Sequence, residues 1–293
     1  MRILIFLFCC SCAVLAAEPG PLVIVGGGGT PLAVRQHLVK LAGGEAARIA
    51  VLPQASSRAD RGQSSVKMFS ELGAKVFIVE LKNPKAVCER LDEATAIWFS
   101  GGSQAALYEA LEKAGLVKYI HDHHARGLSI GGTSAGAAVM SAIMIPRMPE
   151  KPGLRAGNTP TTRGLGLAPG LIIDQHFIAR RRINRLLSAV LDHPDKIGVG
   201  IGEATAIIVR GKRFTVMGEN SVIDPRAAKR AQPAQGKLQS GTGLGLHVLK
   251  ARQEFRFGAK QPWGYSALSP RPFVAMLRAC DVFFFSSRRC ASS

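Results

Sequence analysis

Short apolar runs alternate with helix-like stretches through the first hundred residues, and this alternation constrains the fold of the chain most strongly. Strand-like runs lie at residues 22–25, 48–52, 75–79 and 96–99, with helical patterns between them. Strands that are apolar on both faces are typical of parallel sheets with helices packed on each side. The sequence therefore predicts an α/β fold built on a doubly wound, mostly parallel sheet.

The second half of the chain continues this pattern less regularly. Residues 146–170 are rich in Pro, Gly and Thr and predict a long loop. A strand is predicted at 171–173 and a helix at 179–191. Residues 197–202 form another strand-like run, and residues 205–217 predict a hairpin.

The chain divides into three predicted segments. Its 293 residues, 47% of them hydrophobic, are enough to bury one large core, and we predict one α/β domain over residues 18–260. Residues 1–17 have a basic start, an apolar stretch and small residues before Glu18, which is typical of a secretory signal peptide. Residues 261–293 form an atypical tail, in which the apolar cluster Phe283–Phe285 and the basic end resemble translated read-through.

The signal peptide predicts that the protein is exported, to the periplasm or outside the cell, and then cleaved. A lipid-anchored cysteine at Cys12 is a less favoured alternative, because the residues before it fit a lipoprotein signal poorly. No later run of about 18 apolar residues occurs. We therefore expect no stable insertion of the mature protein into a membrane.

The net charge of +18 raises the question of nucleic-acid binding. The basic residues stand in small scattered groups, however, without the interleaved aromatic side chains on which bases stack. We therefore predict attraction of an anionic substrate or cell surface, and no nucleic-acid partner.

Ser134 stands at the centre of Gly132-Thr133-Ser134-Ala135-Gly136, between a strand-like run and the helix-forming stretch 135–142. A serine at a sharp strand-to-helix turn exposes its hydroxyl where free N–H groups can stabilise an oxyanion. The flanking glycines permit the strained backbone and the close approach of strand and helix. We interpret Ser134 as a nucleophile; the alternative is a glycine-rich turn with a buried serine cap.

A serine nucleophile needs a base that is itself oriented by a carboxylate. Functional groups of doubly wound sheets lie beyond the carboxyl ends of strands, and His176 follows the strand-like run 171–173. Glu203 is a lone carboxylate between two apolar stretches, and a buried glutamate needs a partner. We predict His176 as the base and Glu203 as the acid; the alternative for Glu203 is a salt bridge with an arginine of residues 180–185.

Two other patterns raise the question of a metal or cofactor. The spacing of His121, His123 and His124 is compatible with a metal site, but a solvated helix end is favoured. The run Gly26–Gly29 lacks the full spacing of a dinucleotide-binding loop, and no acidic residue ends the second strand. We therefore expect neither a metal nor a cofactor, and we interpret Gly26–Gly29 as a loop of close backbone approach.

Five motifs, covering roughly residues 22–217, occur in an order that resembles the cyanophycinases. Five ordered motifs are far more specific than any one of them. They are Phe99–Gln104, Gly131–Ala137, Asp174–Phe177, the arginine pattern Arg180, Arg182 and Arg185, and Gly200–Glu203 with Thr205 and Ala206. Cyanophycinases belong with the α-aspartyl dipeptidases, or peptidase E, in one serine peptidase family. The resemblance implies a flavodoxin-like or class I glutamine amidotransferase-like fold.

The resemblance also implies roles for individual residues. Ser134, His176 and Glu203 would form the charge relay. The implied oxyanion donors are the N–H of Ala135 and one N–H of Gly101 and Gly102.

The resemblance further implies a set of residues that line the substrate groove. These are Gln104, Asp174, Gln175, Arg180, Arg182 and Arg185. The basic side chains would hold substrate carboxylates, and Asp174 would receive a substrate arginine or amine. Ser103 departs from the Asp or Asn that is common at its position in the family, which affects the substrate contact expected there.

The implied activity is hydrolysis of cyanophycin, a poly-aspartate backbone carrying arginine on each side-chain carboxyl, to β-Asp-Arg dipeptides. An α-aspartyl dipeptidase is one alternative, because the sequence does not show the length of the groove. A non-catalytic protein that binds an anionic polymer is an alternative of a different class. Family members are often homodimers, and the resemblance extends that expectation to this chain.

Overall fold

The computed structural model describes residues 18–151, 153–230 and 234–257. The predicted signal peptide and the predicted tail, residues 1–17 and 261–293, lie outside the described residues. The helices are α1 (Leu32–Leu41), α2 (Gln63–Ser70), α3 (Pro84–Asp92), α4 (Gln104–Lys113), α5 (Leu116–Ala125), α6 (Ala135–Ala138) and α7 (Ile183–Asp192).

The strands alternate with these helices in the first half of the chain and follow one another towards its end. They are β1 (Leu22–Val25), β2 (Arg48–Leu52), β3 (Lys75–Ile78), β4 (Ala96–Phe99), β5 (Ser129–Thr133), β6 (Ile143–Met144), β7 (Thr162–Arg163), β8 (Leu171–Asp174), β9 (Ile197–Ile201), β10 (Thr205–Arg210), β11 (Arg213–Gly218), β12 (Val222–Arg230), β13 (Gly241–Leu249) and β14 (Glu254–Arg256).

The central sheet has the strand order β14-β11-β10-β1-β5-β4-β2-β3. The five strands from β1 to β3 in this order are parallel, whereas β10, β11 and β14 extend the sheet in antiparallel fashion. The mostly parallel sheet confirms the predicted α/β class. The pairing of β10 with β11 confirms the predicted hairpin.

Strand β1 shows how helices cover both faces of this sheet. All four of its residues are buried. Leu22 and Ile24 belong to a core that includes residues of α3, α4 and α5, whereas Val23 and Val25 belong to a core that includes residues of α1 and α2. Alternate side chains of one strand thus face two helical layers, which is why the strand is apolar throughout.

A second sheet, of order β13-β12-β9-β8, stands beside the central one. Strands β8 and β9 are parallel, and β12 pairs antiparallel with both β9 and β13. The chain passes from β9 of the second sheet directly into β10 of the central sheet. The carboxyl ends of β8 and β9 therefore come close to that of β1.

The structure differs from the sequence prediction at two helices. The helix predicted from residue 179 begins at Ile183, because Arg181 adopts a left-handed φ of 50° and Arg182 precedes the first helical turn. The helix predicted over 135–142 ends at Ala138. Among its described residues, the predicted loop 146–170 contains one short strand, β7, which pairs with β6. Within the described residues, no helix has both the length and the apolar character needed to cross a membrane.

Candidate active site

Ser134 lies in the turn between β5 and α6, in a strained backbone conformation with φ 54° and ψ −113°. Its N–H donates to the carbonyl of Val25, 3.0 Å away, which fixes the turn against β1. A Cβ on Gly136 would lie 2.3 Å from the carbonyl oxygen of Phe99. Only glycine at this position lets α6 pack so closely on β4, as the sequence pattern predicts.

The hydroxyl of Ser134 meets the imidazole of His176. Ser134 Oγ lies 3.0 Å from His176 Nε2, and His176 Nδ1 lies 2.5 Å from Glu203 Oε1. His176 follows β8, and Glu203 lies between β9 and β10. Three side chains from distant parts of the sequence therefore form one continuous chain of hydrogen bonds.

The partner of each imidazole nitrogen defines what the histidine can do. A carboxylate accepts but does not donate, so Nδ1 carries the proton that it donates to Glu203, and Nε2 is left to accept from Ser134. The His176 side chain is 11% exposed and that of Glu203 is 37% exposed. This arrangement has the geometry of a nucleophile, a base and an orienting acid.

The end of β1 positions all three groups. The carbonyl of Gly26 accepts from the N–H of His176 at 2.7 Å, and that of Gly27 accepts from the N–H of Ala204, next to Glu203, at 2.9 Å. His176 and Ala204 both have positive φ, 49° and 50°. These hydrogen bonds hold two residues in a conformation that non-glycine residues rarely adopt.

The glycines of the same loop leave room for the side chains. A Cβ on Gly27 would lie 2.4 Å from the imidazole of His176, and one on Gly28 would lie 2.5 Å from the side chain of Glu203. This packing agrees with the interpretation of the loop as one of close approach at Gly27 and Gly28, whereas a Cβ on Gly29 would have no heavy atom within 4 Å. Glu203 pairs with His176 and not, as the alternative had it, with an arginine of residues 180–185.

The residues expected to donate to an oxyanion lie around Ser134. Gly101 follows β4 and adjoins the serine, since a Cβ on it would lie 3.9 Å from Ser134 Oγ. Gly102 lines the same cavity as Ser134, and Ala135 is the first residue of α6. In the described part of the chain, the N–H groups of Gly101, Gly102 and Ala135 have no backbone acceptor.

A cavity of about 320 Å³ opens beside Ser134, and we call it the catalytic cavity. Five of the six residues predicted for the substrate groove line it: Gln104, Gln175, Arg180, Arg182 and Arg185. Arg180 is exposed, whereas Arg182 and Arg185 are buried. The amide of Gln104 donates to the carbonyl of Ile145 at 2.7 Å and is thereby fixed at the wall.

The environment of Asp174 differs from that expected of a residue that receives a substrate cation. Its side chain is 1% exposed. One carboxylate oxygen accepts from Arg185 Nε at 2.8 Å, the other accepts from Arg185 Nη2, and Arg182 Nη1 lies 3.3 Å from it. The carboxylate is therefore occupied by two of the protein's own guanidinium groups and orients them beside the cavity.

Arg182 is held from several sides. Its Nη1 donates to the carbonyl and to the side-chain oxygen of Gln175, at 2.7 and 2.8 Å. The pKa of Arg182 is lowered to about 10, mainly by burial and secondly by the nearby Arg185 guanidinium. The Arg182 side chain therefore remains charged at neutral pH. Its Nε is buried and has no hydrogen-bond partner among the described residues.

Comparison with known proteins places the chain in a family. The sequence profile of Peptidase family S51 matches residues 22–217. The chain belongs to peptidase family S51. The family makes it a serine-type peptidase and confirms the resemblance found in the sequence.

Two cyanophycinases are similar to this S51 peptidase over most of its length. That of Geminocystis herdmanii is 34% identical over 232 residues, covering 74% of this chain and 83% of the relative. That of Thermosynechococcus vestitus is 36% identical over 251 residues, covering 80% and 78%. The crystal structure of a peptidase from an acI-B1 actinobacterium matches with a TM-score of 0.61 at 23% identity, covering 83% of this chain and 98% of that one, and shows the shared fold.

Sequence reasoning missed part of the cavity wall of the S51 peptidase. Pro146, Arg147 and Met148 also line the catalytic cavity, and Met148 Sδ lies 3.4 Å from Arg185 Nη1. These residues begin the Pro- and Gly-rich loop. The length of that loop was the sequence signal that it has a function.

Ser103 caps α4, since its Oγ accepts from the N–H of Ala106 at 3.3 Å.

The three histidines of α5 bind separate partners. His121 Nε2 lies 2.5 Å from the carbonyl oxygen of Leu165. His123 lies 3.2 Å from Asp92, and His124 Nε2 lies 2.7 Å from the carbonyl of Gly20. The histidines are thus at least partly buried, whereas the helix end itself, residues 125–127, is exposed, in agreement with the favoured interpretation. Among the described residues, no three His, Cys, Asp or Glu side chains cluster closely enough to hold a metal ion.

Proposed function

We propose that this serine peptidase hydrolyses cyanophycin to β-Asp-Arg dipeptides. The observation that carries the proposal is the placement of Arg180, Arg182 and Arg185 in the same cavity as Ser134. Each β-linked arginine of cyanophycin has a free carboxylate, and guanidinium groups bind carboxylates through paired hydrogen bonds. The similar proteins named cyanophycinases also support the proposal.

The reaction begins with attack of Ser134 Oγ on the scissile aspartyl carbonyl. His176 Nε2 takes the hydroxyl proton, and Glu203 stabilises the imidazolium that results. The developing oxyanion is bound by the N–H of Ala135 and by an N–H of Gly101 or Gly102.

The tetrahedral intermediate then collapses, and the C–N bond breaks. His176 gives its proton to the leaving amine, which departs and leaves an acyl group on Ser134. Water next attacks this acyl-enzyme as His176 takes its proton. The second intermediate releases the free aspartyl carboxylate and regenerates the serine.

The arginines contribute differently to substrate binding. Asp174 holds Arg182 and Arg185 in place, so their positive charge is pre-organised before the substrate arrives. Arg180 is exposed and has no carboxylate within 4.0 Å among the described residues, so it is available to an incoming carboxylate. Buried arginines would recognise the unit at the scissile bond, and Arg180 would bind at the mouth of the cavity.

We also propose that the protein is exported, on the basis of the apolar segment with a basic start that precedes Glu18. An exported peptidase would degrade polymer outside the cytoplasm. N-terminal sequencing of the protein recovered from periplasm and medium tests this. A mature N-terminus near Glu18 supports export, and an intact Met1 in the cytoplasmic fraction contradicts it.

The experiment on activity uses the purified protein with two substrates, insoluble cyanophycin and Asp-X dipeptides. We expect release of β-Asp-Arg from the polymer, and loss of that release by several orders of magnitude in Ser134→Ala. Cleavage of the dipeptides alone would establish an α-aspartyl dipeptidase. Binding of the polymer without release of dipeptide would establish a non-catalytic binding protein.

A further inference from the structure

A second cavity, of about 620 Å³, adjoins the catalytic cavity. Arg147 lines both of them, so its side chain forms part of the wall between them. We call the second one the distal cavity. Its other polar wall residues include Glu150, Lys151, Arg155 and Asn158.

One wall of the distal cavity is an ordered pairing of two segments. Arg155 forms an antiparallel bridge with Leu238. The N–H of Ala156 donates to the carbonyl of Lys237 at 3.0 Å, and the N–H of Gly236 donates back to the carbonyl of Ala156 at 2.9 Å. Arg155 Nη1 adds a hydrogen bond to the carbonyl of Gly236 at 3.1 Å. The backbone that presents Arg155 is therefore fixed.

Helix α7 connects this wall to the catalytic cavity. Near its carboxyl end, Asp192 Oδ2 accepts from the N–H of Gly157 at 3.0 Å, and Ser188 Oγ donates to the carbonyl of Arg155 at 3.2 Å. Near its start, the same helix places Arg185 in the catalytic cavity. The rise from Arg185 to Asp192 is about 10 Å along the helix axis, which equals about three residues of an extended peptide.

The charges of the distal cavity suit a group with both a carboxylate and a guanidinium. Arg147 Nη1 donates to Glu150 Oε1 at 2.8 Å. Within the segments that the structure describes, Lys151 and Arg155 have no carboxylate within 4.0 Å, although both line the cavity. Two unpaired cations can therefore hold a carboxylate, and Glu150 can accept from a guanidinium.

We propose that the distal cavity binds an arginyl side chain of cyanophycin about three residues along the polymer from the scissile bond. The proposal rests on the proposed function and specifies its substrate class as chains of several units. Each arginyl side chain carries one carboxylate and one guanidinium, which matches the charges of Lys151, Arg155 and Glu150. Occupancy of both cavities favours polymer over a two-unit fragment, because the fragment is too short to reach the distal cavity.

The test compares cyanophycin with a two-unit (β-Asp-Arg) fragment. The double variant Lys151→Ala/Arg155→Ala removes both cations. Lys151→Ala alone distinguishes a binding effect from a folding defect, because this side chain is exposed and has no hydrogen bond or ion pair among the described residues. The carbonyl of Lys151, which accepts from Asn158 Nδ2 at 2.8 Å, is unaffected by the substitution. The matched control is Lys82→Ala, an exposed lysine beyond the far edge strand β3.

For the double variant we expect KM for the polymer to rise about tenfold, and for Lys151→Ala severalfold, with kcat/KM for the fragment unchanged. Lys82→Ala should behave as the wild type. Equal changes on both substrates, or no change on either, would overturn the distal subsite while cyanophycin hydrolysis stands. Failure of the wild type to release β-Asp-Arg from either substrate would overturn the proposed function and the distal subsite together.

Discussion

The N–H of His176 donates to the carbonyl of Gly26, 2.7 Å away, at the end of β1. This hydrogen bond is one of three in succession, since the carbonyls of Val25 and Gly27 accept from the N–H groups of Ser134 and Ala204. One strand end thus sets the backbone positions of the serine, the histidine and the residue beside the glutamate. The catalytic geometry depends on the loop after β1 as much as on the three side chains.

Gly27→Ala should therefore inactivate the enzyme by displacing His176, and not through a contact between the new side chain and the substrate. The added Cβ would lie 2.4 Å from the His176 imidazole, which must then move away from Ser134. We expect kcat to fall by about 10²-fold or more, since small displacements of catalytic groups have effects of this size. Steady-state kinetics on β-Asp-Arg release measure it.

Gly29→Ala is the matched control for this substitution. Gly29 has a similar positive φ, 103° against 94° for Gly27, but a Cβ there would have no heavy atom within 4 Å. Both variants introduce backbone strain, and only one crowds the histidine. An equal loss of kcat in both would show that loop strain, and not displacement of His176, is responsible.

Glu203→Gln tests the acid of the triad. The amide can donate to Nδ1 and so favours the tautomer whose Nε2 carries a proton and cannot accept from Ser134. We expect kcat to fall by about 10²- to 10⁴-fold with little change in KM. Glu219→Gln, at an exposed glutamate, should retain full activity; a similar loss in the two variants would contradict the role of Glu203.

Asp174→Asn tests the buried ion pairs beneath the catalytic cavity. The substitution leaves Arg185, which is 3% exposed, without its charged partner. Breaking a buried pair on one side costs about 3–5 kcal/mol, so the free energy of unfolding in urea should fall by about that amount. Asp60→Asn, in an exposed pair with Arg58, should leave it unchanged. An unaltered urea midpoint for Asp174→Asn would contradict the ascribed role.

His124 should make stability depend on pH. Burial lowers the pKa of His124 below its ordinary value, with the nearby His121 adding to the effect. As pH falls below about 6.5 the unfolded chain takes up a proton before the folded protein does, so the free energy of unfolding decreases. The contribution is fully present above that pH.

The variant His124→Gln removes this titration. Urea unfolding at pH 7.5 and pH 5.0 should show a smaller decrease in stability for the variant than for the wild type. Some decrease will remain, because burial also lowers the pKa of His37 and of His123. Identical pH dependence in the two proteins would contradict the account.

The sequence predicted most of the central sheet and the meeting of Ser134, His176 and Glu203, whose catalytic roles stay predictions. Each apolar run was bounded by turn residues, and Ser134, His176 and Glu203 each follow a strand, where such folds place their sites. Their convergence depends on the same rule. The assignment of β8 and β9 to a second sheet was not predictable, because a buried strand has the same pattern in either sheet.

The missed features depend on tertiary contacts. Asp174 stands two residues before His176, and nothing local shows that Arg185 returns to bind it once α7 begins at Ile183. The place of Arg147 in the cavity wall depends on the path of a long loop, which has no hydrophobic period to fix it. Local patterns specify elements, and packing specifies which side chains meet.

The most direct measurement is the rate at which a serine-directed fluorophosphonate labels Ser134, with the site identified by peptide mass spectrometry. We expect labelling at Ser134 in the wild type and a rate at least about 10²-fold lower in His176→Ala, because the hydroxyl then lacks its base. Equal rates in the two proteins, or labelling no greater than in Ser134→Ala, would contradict a serine activated by His176.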